Sequence, residues 1–225
     1  MILLEEEVPT LVHGEKMTPA EFMRRWEAHP EIKHAELVGG RIVMPPPVGA
    51  DHCFSEGQIG TWLGTYAATT PGCASGHNPT TFLGDDVLQP DVNLIILPEW
   101  GGASWIEKNY LHGCPELIAE LAKSSIHRDL TTRRDILEKA GVKEYLVVNL
   151  KDREVRWHCM IDGVYQLLAP DADGIYHSLE FPGLWLNSTA LLEGKMGKVL
   201  ATLHKGMASK EYLDFVAALN ARKPQ

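Results

Sequence analysis

The chain has 225 residues, of which 44% are hydrophobic and 23% charged, enough apolar content to bury a core in one domain or at most two. Thirty acidic against 21 basic residues give a net charge of −9, which disfavours a general basic surface for coating nucleic acid but not a local basic groove. No apolar run reaches the roughly 18 residues that cross a bilayer. Because the N-terminus also lacks a signal-peptide pattern, we expect a cytoplasmic protein without membrane contact.

The first elements carry strong local signals. Thr18-Pro19-Ala20-Glu21 combines an N-cap threonine, a proline at the first helical position and a glutamate three residues after the cap, which predicts a helix to about His29. Two short strands, 35–38 and 41–44, flank Gly39-Gly40 and predict a tight hairpin. Pro45-Pro46-Pro47 ends the second strand, because proline has no amide proton for a sheet.

The next segment predicts a longer helix followed by strands. Apolar residues at helical spacing indicate a helix from Asp51 to about Ala68, with Asp51 as a candidate cap. Residues 71–80 are rich in Gly, Pro, Ser and Asn and predict a loop. Strands are predicted at 80–83 and 91–97.

A strand–helix–strand unit follows. Leu117–Ala122 is typical of a strand buried on both faces, a helix begins near Asp129 and stops at Gly141, and 145–149 returns as a second buried strand. This order predicts a right-handed crossover between parallel strands.

The remaining chain predicts a hairpin and a helical tail. Asp162-Gly163 joins two alternating stretches, 153–160 and 163–168. The tail, about 189–221, is helical in composition but interrupted by glycines at positions 194, 197 and 206. With no internal repeat or linker, the sequence predicts one α/β domain over residues 1–225.

Two carboxylates stand inside apolar strands. Asp91 follows Gln89-Pro90 at the head of one strand, and Glu120 lies within another. A buried carboxylate is costly unless it is paired, hydrogen-bonded or bound to a metal. On adjacent strands the two would converge into a site for Mg²⁺ or Mn²⁺. Alternatively, each is an exposed strand-end acid or the partner of an arginine at position 128, 133 or 134.

Several short motifs occur in an order and spacing that resemble a known family. They are Glu36-Leu37-Val38-Gly39-Gly40, Pro45-Pro46-Pro47 with His52 after it, Gln89-Pro90-Asp91-Val92, Pro115-Glu116-Leu117-Ile118-Ala119-Glu120-Leu121, Ala140-Gly141-Val142-Lys143-Glu144-Tyr145-Leu146 and Phe181-Pro182-Gly183-Leu184 as a closing strand. Over about residues 16–195 the chain resembles a large bacterial family of the Uma-two type, which belongs to the PD-(D/E)XK superfamily of restriction endonucleases.

The resemblance implies a restriction endonuclease-like core, in which helices flank a central mixed β-sheet, and metal-dependent hydrolysis of DNA. Asp91 and Glu120 match the metal-binding acids of the family, and Glu36, which matches the acid of the first hairpin, is the third predicted metal ligand. His52 matches a histidine before the second helix, with a role at the substrate. The implied cofactor is Mg²⁺ or Mn²⁺, which would activate water for attack on a phosphodiester.

The sequence departs from the superfamily at the basic residue. A lysine two positions beyond the second acid would share its strand face, but alanine stands there and Lys123 follows one step later. Arg133 resembles the site to which this family moves its basic residue. An arginine can steady negative charge but does not deprotonate water, since its pKa lies above 12. Lys123 and Arg133 are therefore the two candidates for the catalytic basic residue, beside the acids Asp91 and Glu120.

Other assignments have structural alternatives. Arg128 and Arg134 could bind substrate phosphates, or form a surface helix face paired with Asp135 and Glu138. Glu36 could instead pair with Arg41 across the hairpin. The aromatic residues Trp62, Tyr66, Trp157 and Trp185 are typical of core or dimer contacts.

The sequence is compatible with two functions and two assembly states. The chain is either a Mg²⁺-dependent DNA endonuclease or a non-catalytic relative that serves as a binding or assembly module. Apolar residues in the tail, among them Tyr212, Leu213 and Leu219, predict a homodimer. The alternative is a tail that folds back over its own sheet.

Overall fold

A computed structural model describes residues 7–122 and 129–222. In these ranges the α-helices are α1 Pro19–Ala28, α2 Ala50–Thr69, α3 Arg134–Ala140, α4 Ser188–Leu192, α5 Met196–Met207 and α6 Lys210–Arg222. A 3₁₀ turn covers Pro98–Trp100, and a π-helical turn, Asp129–Arg133, leads directly into α3. None of the helices in these ranges has the length and apolar character needed to cross a bilayer.

Fourteen strands are present in the same ranges. They are β1 Glu36–Val38, β2 Arg41–Val43, β3 Cys73–His77, β4 Thr81–Leu83, β5 Asp86–Leu88, β6 Val92–Ile96, β7 Ser104–Glu107, β8 Tyr110–Gly113, β9 Leu117–Ala122, β10 Glu144–Asn149, β11 Glu154–Ile161, β12 Val164–Leu167, β13 Ile175–His177 and β14 Trp185–Asn187. They form two six-stranded sheets and one two-stranded sheet.

The sheet that we call the core sheet has the strand order β12-β11-β10-β9-β6-β3. Strands β9 and β10 run parallel, with Leu117 opposite Glu144, and the other pairs are antiparallel. Helix α3 lies between these two strands in the chain and ends at Gly141, whose φ of 91° suits the left-handed C-cap. The predicted connection between parallel strands and its cap are therefore confirmed.

The second sheet was largely unforeseen. Its order is β2-β1-β5-β4-β8-β7, so the predicted hairpin forms one edge and strands from residues 81–113 complete it. The prediction of a loop at 71–80 was wrong, because Cys73–His77 pairs with β6 along its whole length. Pairing with a strongly apolar neighbour outweighs the poor strand propensity of Gly76.

The largest core cluster lies between α2, the core sheet and the C-terminal helices. Trp62, Tyr66 and Trp157 are fully buried there. The Trp62 indole donates to the Trp185 carbonyl at 3.0 Å, and the Tyr66 hydroxyl donates to the Pro182 carbonyl at 2.8 Å. The interpretation of these aromatics as core residues is confirmed for the three buried ones.

The C-terminal region differs from the prediction in two details. Phe181–Leu184 precedes the closing strand, which is β14, and β14 pairs with β13. Only Gly194 separates two helices, whereas the glycines at 197 and 206 lie inside α5. A Cβ at Gly206 would lie 2.2 Å from the Gly183 carbonyl oxygen, so glycine is required there by the close approach of two backbones.

The tail packs on its own core. Tyr212 and Leu219 are buried, Phe215 and Val216 pack beside them, and Leu213 is exposed. This is the fold-back arrangement that the sequence left as the alternative to a dimer contact. The apolar tail therefore no longer supports a homodimer, which stays a prediction. The single-domain assignment also stays a prediction, although α2, the core sheet and the tail share one cluster.

Strand β12 is the outer strand of the core sheet, and its edge is partly covered. Tyr165 donates its backbone N–H to a carboxylate oxygen of Glu138, on helix α3. The Tyr165 hydroxyl donates to the Val142 carbonyl at 2.8 Å, next to the end of that helix. Helix α3 is thus fastened to the strand at the sheet edge.

Candidate metal centre

A cleft of about 1080 Å³ brings together residues from both large sheets and from α2. Its walls include the proline segment 45–47 and the residues around His34. Six ionisable side chains of its lining form the candidate site: Glu36, His52, Glu56, Asp91, Glu120 and Arg133. All of the predicted metal ligands therefore line one cleft.

Asp91 stands directly before β6 and is held by the neighbouring strand. The backbone N–H of Leu121, on β9, donates to Asp91 Oδ2 at 2.7 Å. The antiparallel register pairs Val92 with Ala119, so the next position along places Asp91 beside Glu120. The prediction that these acids occupy adjacent strands agrees with this pairing.

His52 and Glu56 occupy one face of the first turns of α2, because residues four apart on a helix are neighbours. The helix is capped at Gly49, so the predicted cap at Asp51 was wrong and Asp51 lies inside the first turn. His52 Nε2 lies 3.2 Å from Asp91 Oδ1 and 3.9 Å from Glu56 Oε2. His52, assigned from sequence to the substrate, thus stands against the metal-ligand candidate Asp91.

Glu56 is fixed by two donors at the end of β3: His77, the last residue of the strand, and Asn78, which follows it. Its Oε1 lies 3.0 Å from His77 Nδ1 and accepts from Asn78 Nδ2 at 2.9 Å. The side chain is 16% exposed. Sequence reasoning missed Glu56, although a histidine and a glutamate four apart in a predicted helix were a visible signal.

Three ligand atoms, one each from His52, Glu56 and Asp91, lie within 4.8 Å of one another. Across the described ranges this is the one group of three or more histidine, cysteine or carboxylate side chains with that spacing. Two carboxylates and one imidazole match the ligand preferences of a divalent first-row ion, since carboxylate suits Mn²⁺ and imidazole suits the later ions.

Glu36 and Glu120 share a different partner. The Arg133 guanidinium lies 2.6 Å from Glu36 Oε2 through Nη2 and 2.9 Å from Glu120 Oε1 through Nη1. The three side chains are 3–7% exposed, so this is a buried ion-pair triad. Glu36 Oε1 also accepts from the Gln89 backbone N–H at 2.8 Å. One fixed positive charge therefore compensates two buried carboxylates.

The proposed pairing of Glu36 with Arg41 was wrong. In the hairpin Glu36 stands opposite Val43, and Arg41 donates to the Gly14 carbonyl at 3.0 Å. The hairpin therefore turns Glu36 towards the cleft instead of towards its own second strand.

The remaining basic candidates divide into two groups. Lys123 and Arg128 lie outside the described residues. Arg134 lies 2.6 Å from Asp135, is 39% exposed and is absent from the cleft lining within the described ranges, as the surface alternative predicted. Glu138, its other suggested partner, binds Tyr165 instead.

Comparisons with known proteins agree with this architecture. A family model described as "Uma2: Putative restriction endonuclease" matches residues 19–189. A crystal structure of a "putative nuclease belonging to DUF820" from Anabaena variabilis ATCC 29413 matches with a TM-score of 0.55 and 16% identity, over 69% of this chain and 87% of that chain. No curated protein matches the chain. The predicted restriction endonuclease-like fold, with mixed sheets flanked by helices, is confirmed.

Proposed function

The chain belongs to the Uma2 family, and from that premise we propose that it is an endonuclease that hydrolyses DNA phosphodiester bonds with a bound divalent cation. The observation that carries the proposal is the group His52, Glu56 and Asp91, whose ligand atoms lie within 4.8 Å of one another in the cleft. A histidine and two carboxylates around one point fit a cation better than they fit a structural core.

Asp91 is the central residue of the proposed site. Its Oδ2 is held by the Leu121 amide, so the carboxylate keeps a fixed orientation with Oδ1 towards His52. Mg²⁺ or Mn²⁺ bound here would supply an activated water and a positive charge at the phosphodiester oxygens. Glu120 lies on β9 beside Asp91 and is the second acid of the proposed site.

Arg133 supplies a permanent positive charge at the inner end of the cleft. Because a guanidinium remains protonated, Arg133 does not act as a general base. Its proposed role is to compensate Glu36 and Glu120 and so to allow acidic groups to gather in a buried place. Lys123 remains a proposed second basic residue, and Arg128 and Arg134 remain proposed phosphate contacts.

A plasmid-nicking assay with Mg²⁺ or Mn²⁺ tests the function. We expect cleavage by the wild-type protein and its loss in Asp91→Asn, which keeps the side-chain shape but removes the charge. Asp214→Asn is the matched control, because Asp214 is 65% exposed on α6 and pairs with Lys210, outside the residues proposed to contact metal or DNA. Equal cleavage by Asp91→Asn and wild type would refute the assignment of the site.

A second candidate is a non-catalytic module that binds DNA or a partner protein. The observation that favours it is the triad, in which Arg133 already pairs with two of the acids predicted to hold metal. A labelled duplex that is retarded in a gel but never cut, with either metal present, would favour this candidate. The homodimer and the cytoplasmic location accompany both candidates as proposals.

A further inference from the structure

We propose that the protein ligands of the cation in this chain are His52, Glu56 and Asp91, and that Glu120 contributes little to holding it. The imidazole then makes the site prefer Mn²⁺ or a later first-row divalent ion over Mg²⁺. This inference deepens the proposed function, since it assumes that a cation binds in the cleft, but it does not require that the protein cut DNA.

The two carboxylates of the group are oriented in the same manner. Each has one oxygen held by protein donors: Asp91 Oδ2 by the Leu121 amide, and Glu56 Oε1 by His77 and Asn78. The other oxygen of each carboxylate is the one that lies nearer to His52 Nε2, at 3.2 Å and 3.9 Å. Outer hydrogen bonds of this kind orient metal ligands and are a regular part of metal sites.

The distances from His52 to the two carboxylates suit one shared ion. Ligand atoms bound at about 2.0–2.3 Å to a shared cation lie about 2.9–4.4 Å from one another. The two distances from His52 Nε2, 3.2 Å and 3.9 Å, fall within that interval. Binding requires the Nε2 lone pair, so it displaces any proton on that nitrogen.

Glu120 is placed differently. Its Oε1 is 2.9 Å from Arg133 Nη1, and both side chains are under 8% exposed. A carboxylate whose charge is compensated by an adjacent guanidinium attracts a second cation less strongly, and the ion would also be repelled by Arg133. The triad therefore disfavours an ion between Asp91 and Glu120 and favours one between Asp91 and the two ligands on α2.

The nature of the ligands determines the preferred ion. Mg²⁺ favours oxygen ligands, whereas an imidazole nitrogen raises the affinity for transition ions along the series from Mn²⁺ upwards. A site built from Asp91 and Glu120 alone would lack that preference. Ion selectivity thus separates the two ligand sets.

A titration with Mn²⁺ tests the inference without DNA. Electron paramagnetic resonance measures the concentration of the free ion and so gives the dissociation constant. We expect His52→Gln and Glu56→Gln to weaken binding at least about tenfold, the lower limit seen even for outer-shell changes. We expect Glu120→Gln to stay within about threefold of wild type. His204→Gln is the control for the histidine change, because His204 is exposed on α5.

Competition by Mg²⁺ provides the second measurement. In the wild type we expect a large excess of Mg²⁺ to be needed to displace Mn²⁺, and in His52→Gln a smaller excess. Thermal melting establishes that each variant is folded. If Glu120→Gln is unstable, the combined change Glu36→Gln, Glu120→Gln and Arg133→Met, which removes all three charges of the triad, takes its place.

Loss of Mn²⁺ binding in Glu120→Gln, together with unchanged binding in Glu56→Gln, would overturn the inference. Binding that depends on His52 and Glu56 without any DNA cleavage would refute the nuclease proposal and leave this one standing. DNA cleavage that requires Asp91 but neither His52 nor Glu56 would support the nuclease proposal and refute this assignment of the ligands.

Discussion

Arg133 donates a hydrogen bond of 2.6 Å to Glu36, a residue 97 positions earlier in the chain. The contact joins the turn before α3, which connects two strands of the core sheet, to β1 of the second sheet. Since Arg133 also pairs with Glu120 on β9, one guanidinium links the two sheets at the cleft.

Removal of the Arg133 guanidinium should destabilise the fold. Arg133→Met removes the guanidinium charge beside two buried carboxylates, and we expect a loss of about 3–5 kcal/mol in the free energy of unfolding. Arg134→Met is the adjacent control; it removes an exposed pair and should change stability by less than about 1 kcal/mol. Urea denaturation at neutral pH measures both, and equal values would contradict a structural role for the triad.

Glu144 is expected to make stability depend on pH. It is buried, and desolvation raises its pKa above the ordinary 4.5 despite donors from Ser178 and the 179–180 backbone. An acid whose pKa is raised on folding contributes stability that is complete below its unfolded pKa and is lost as the pH rises through the folded pKa.

The corresponding variant is Glu144→Gln. The stability of wild type relative to this variant should fall as the pH rises from the ordinary value of 4.5 towards neutrality. Urea denaturation across that interval measures the difference. A relative stability that increases with pH would mean that the hydrogen bonds outweigh desolvation and that the pKa of Glu144 is lowered.

The tail is expected to stabilise the monomer. Leu219→Ala removes a buried side chain and should cost about 2–5 kcal/mol, whereas Leu213→Ala, on the exposed face of the same helix, should cost less than about 0.5 kcal/mol. Denaturation gives these values, and light scattering gives the mass. A dimer that Leu213→Ala dissociates would instead place the exposed face of α6 in an interface.

The cysteines should differ in reactivity. Cys53 is exposed on α2, whereas burial raises the pKa of Cys73 to about 12 and also raises that of Cys159. Alkylation in the native state should therefore modify Cys53 first, since the thiolate is the reactive form. Mass spectrometry of peptides identifies the order, and early modification of Cys159 would contradict the buried packing of β11.

Local signals account for most of what the sequence predicted correctly. The Thr18 hydroxyl caps α1 by accepting from the Glu21 amide, and Gly39-Gly40 joins a hairpin, because each signal lies within a few residues of the structure it determines. Strand β3 was missed since its pairing partner, β6, lies some twenty residues away and no local pattern reveals it.

The acids of the site were predictable, and Arg133 was among the partners suggested for Glu120, but the other contacts of the site were not predictable. Asp91 and Glu120 were conspicuous because charged residues rarely interrupt apolar strands. Glu56 depends on His77 and Asn78, which the C-terminal end of β3 brings to it. The pairing of Arg133 with Glu36 is likewise a product of the assembled sheets.

The bond between Glu138 and the Tyr165 amide has a consequence for solubility. A bare strand edge is a template on which another chain can add a strand, and β12 carries the exposed apolar residues Val164 and Leu167. Glu138, in the second half of helix α3, occupies one backbone donor of that edge, while Arg133, directly before the helix, completes the cleft. Local undocking of this one short helix would therefore dismantle the triad and expose an aggregation-prone edge in the same event.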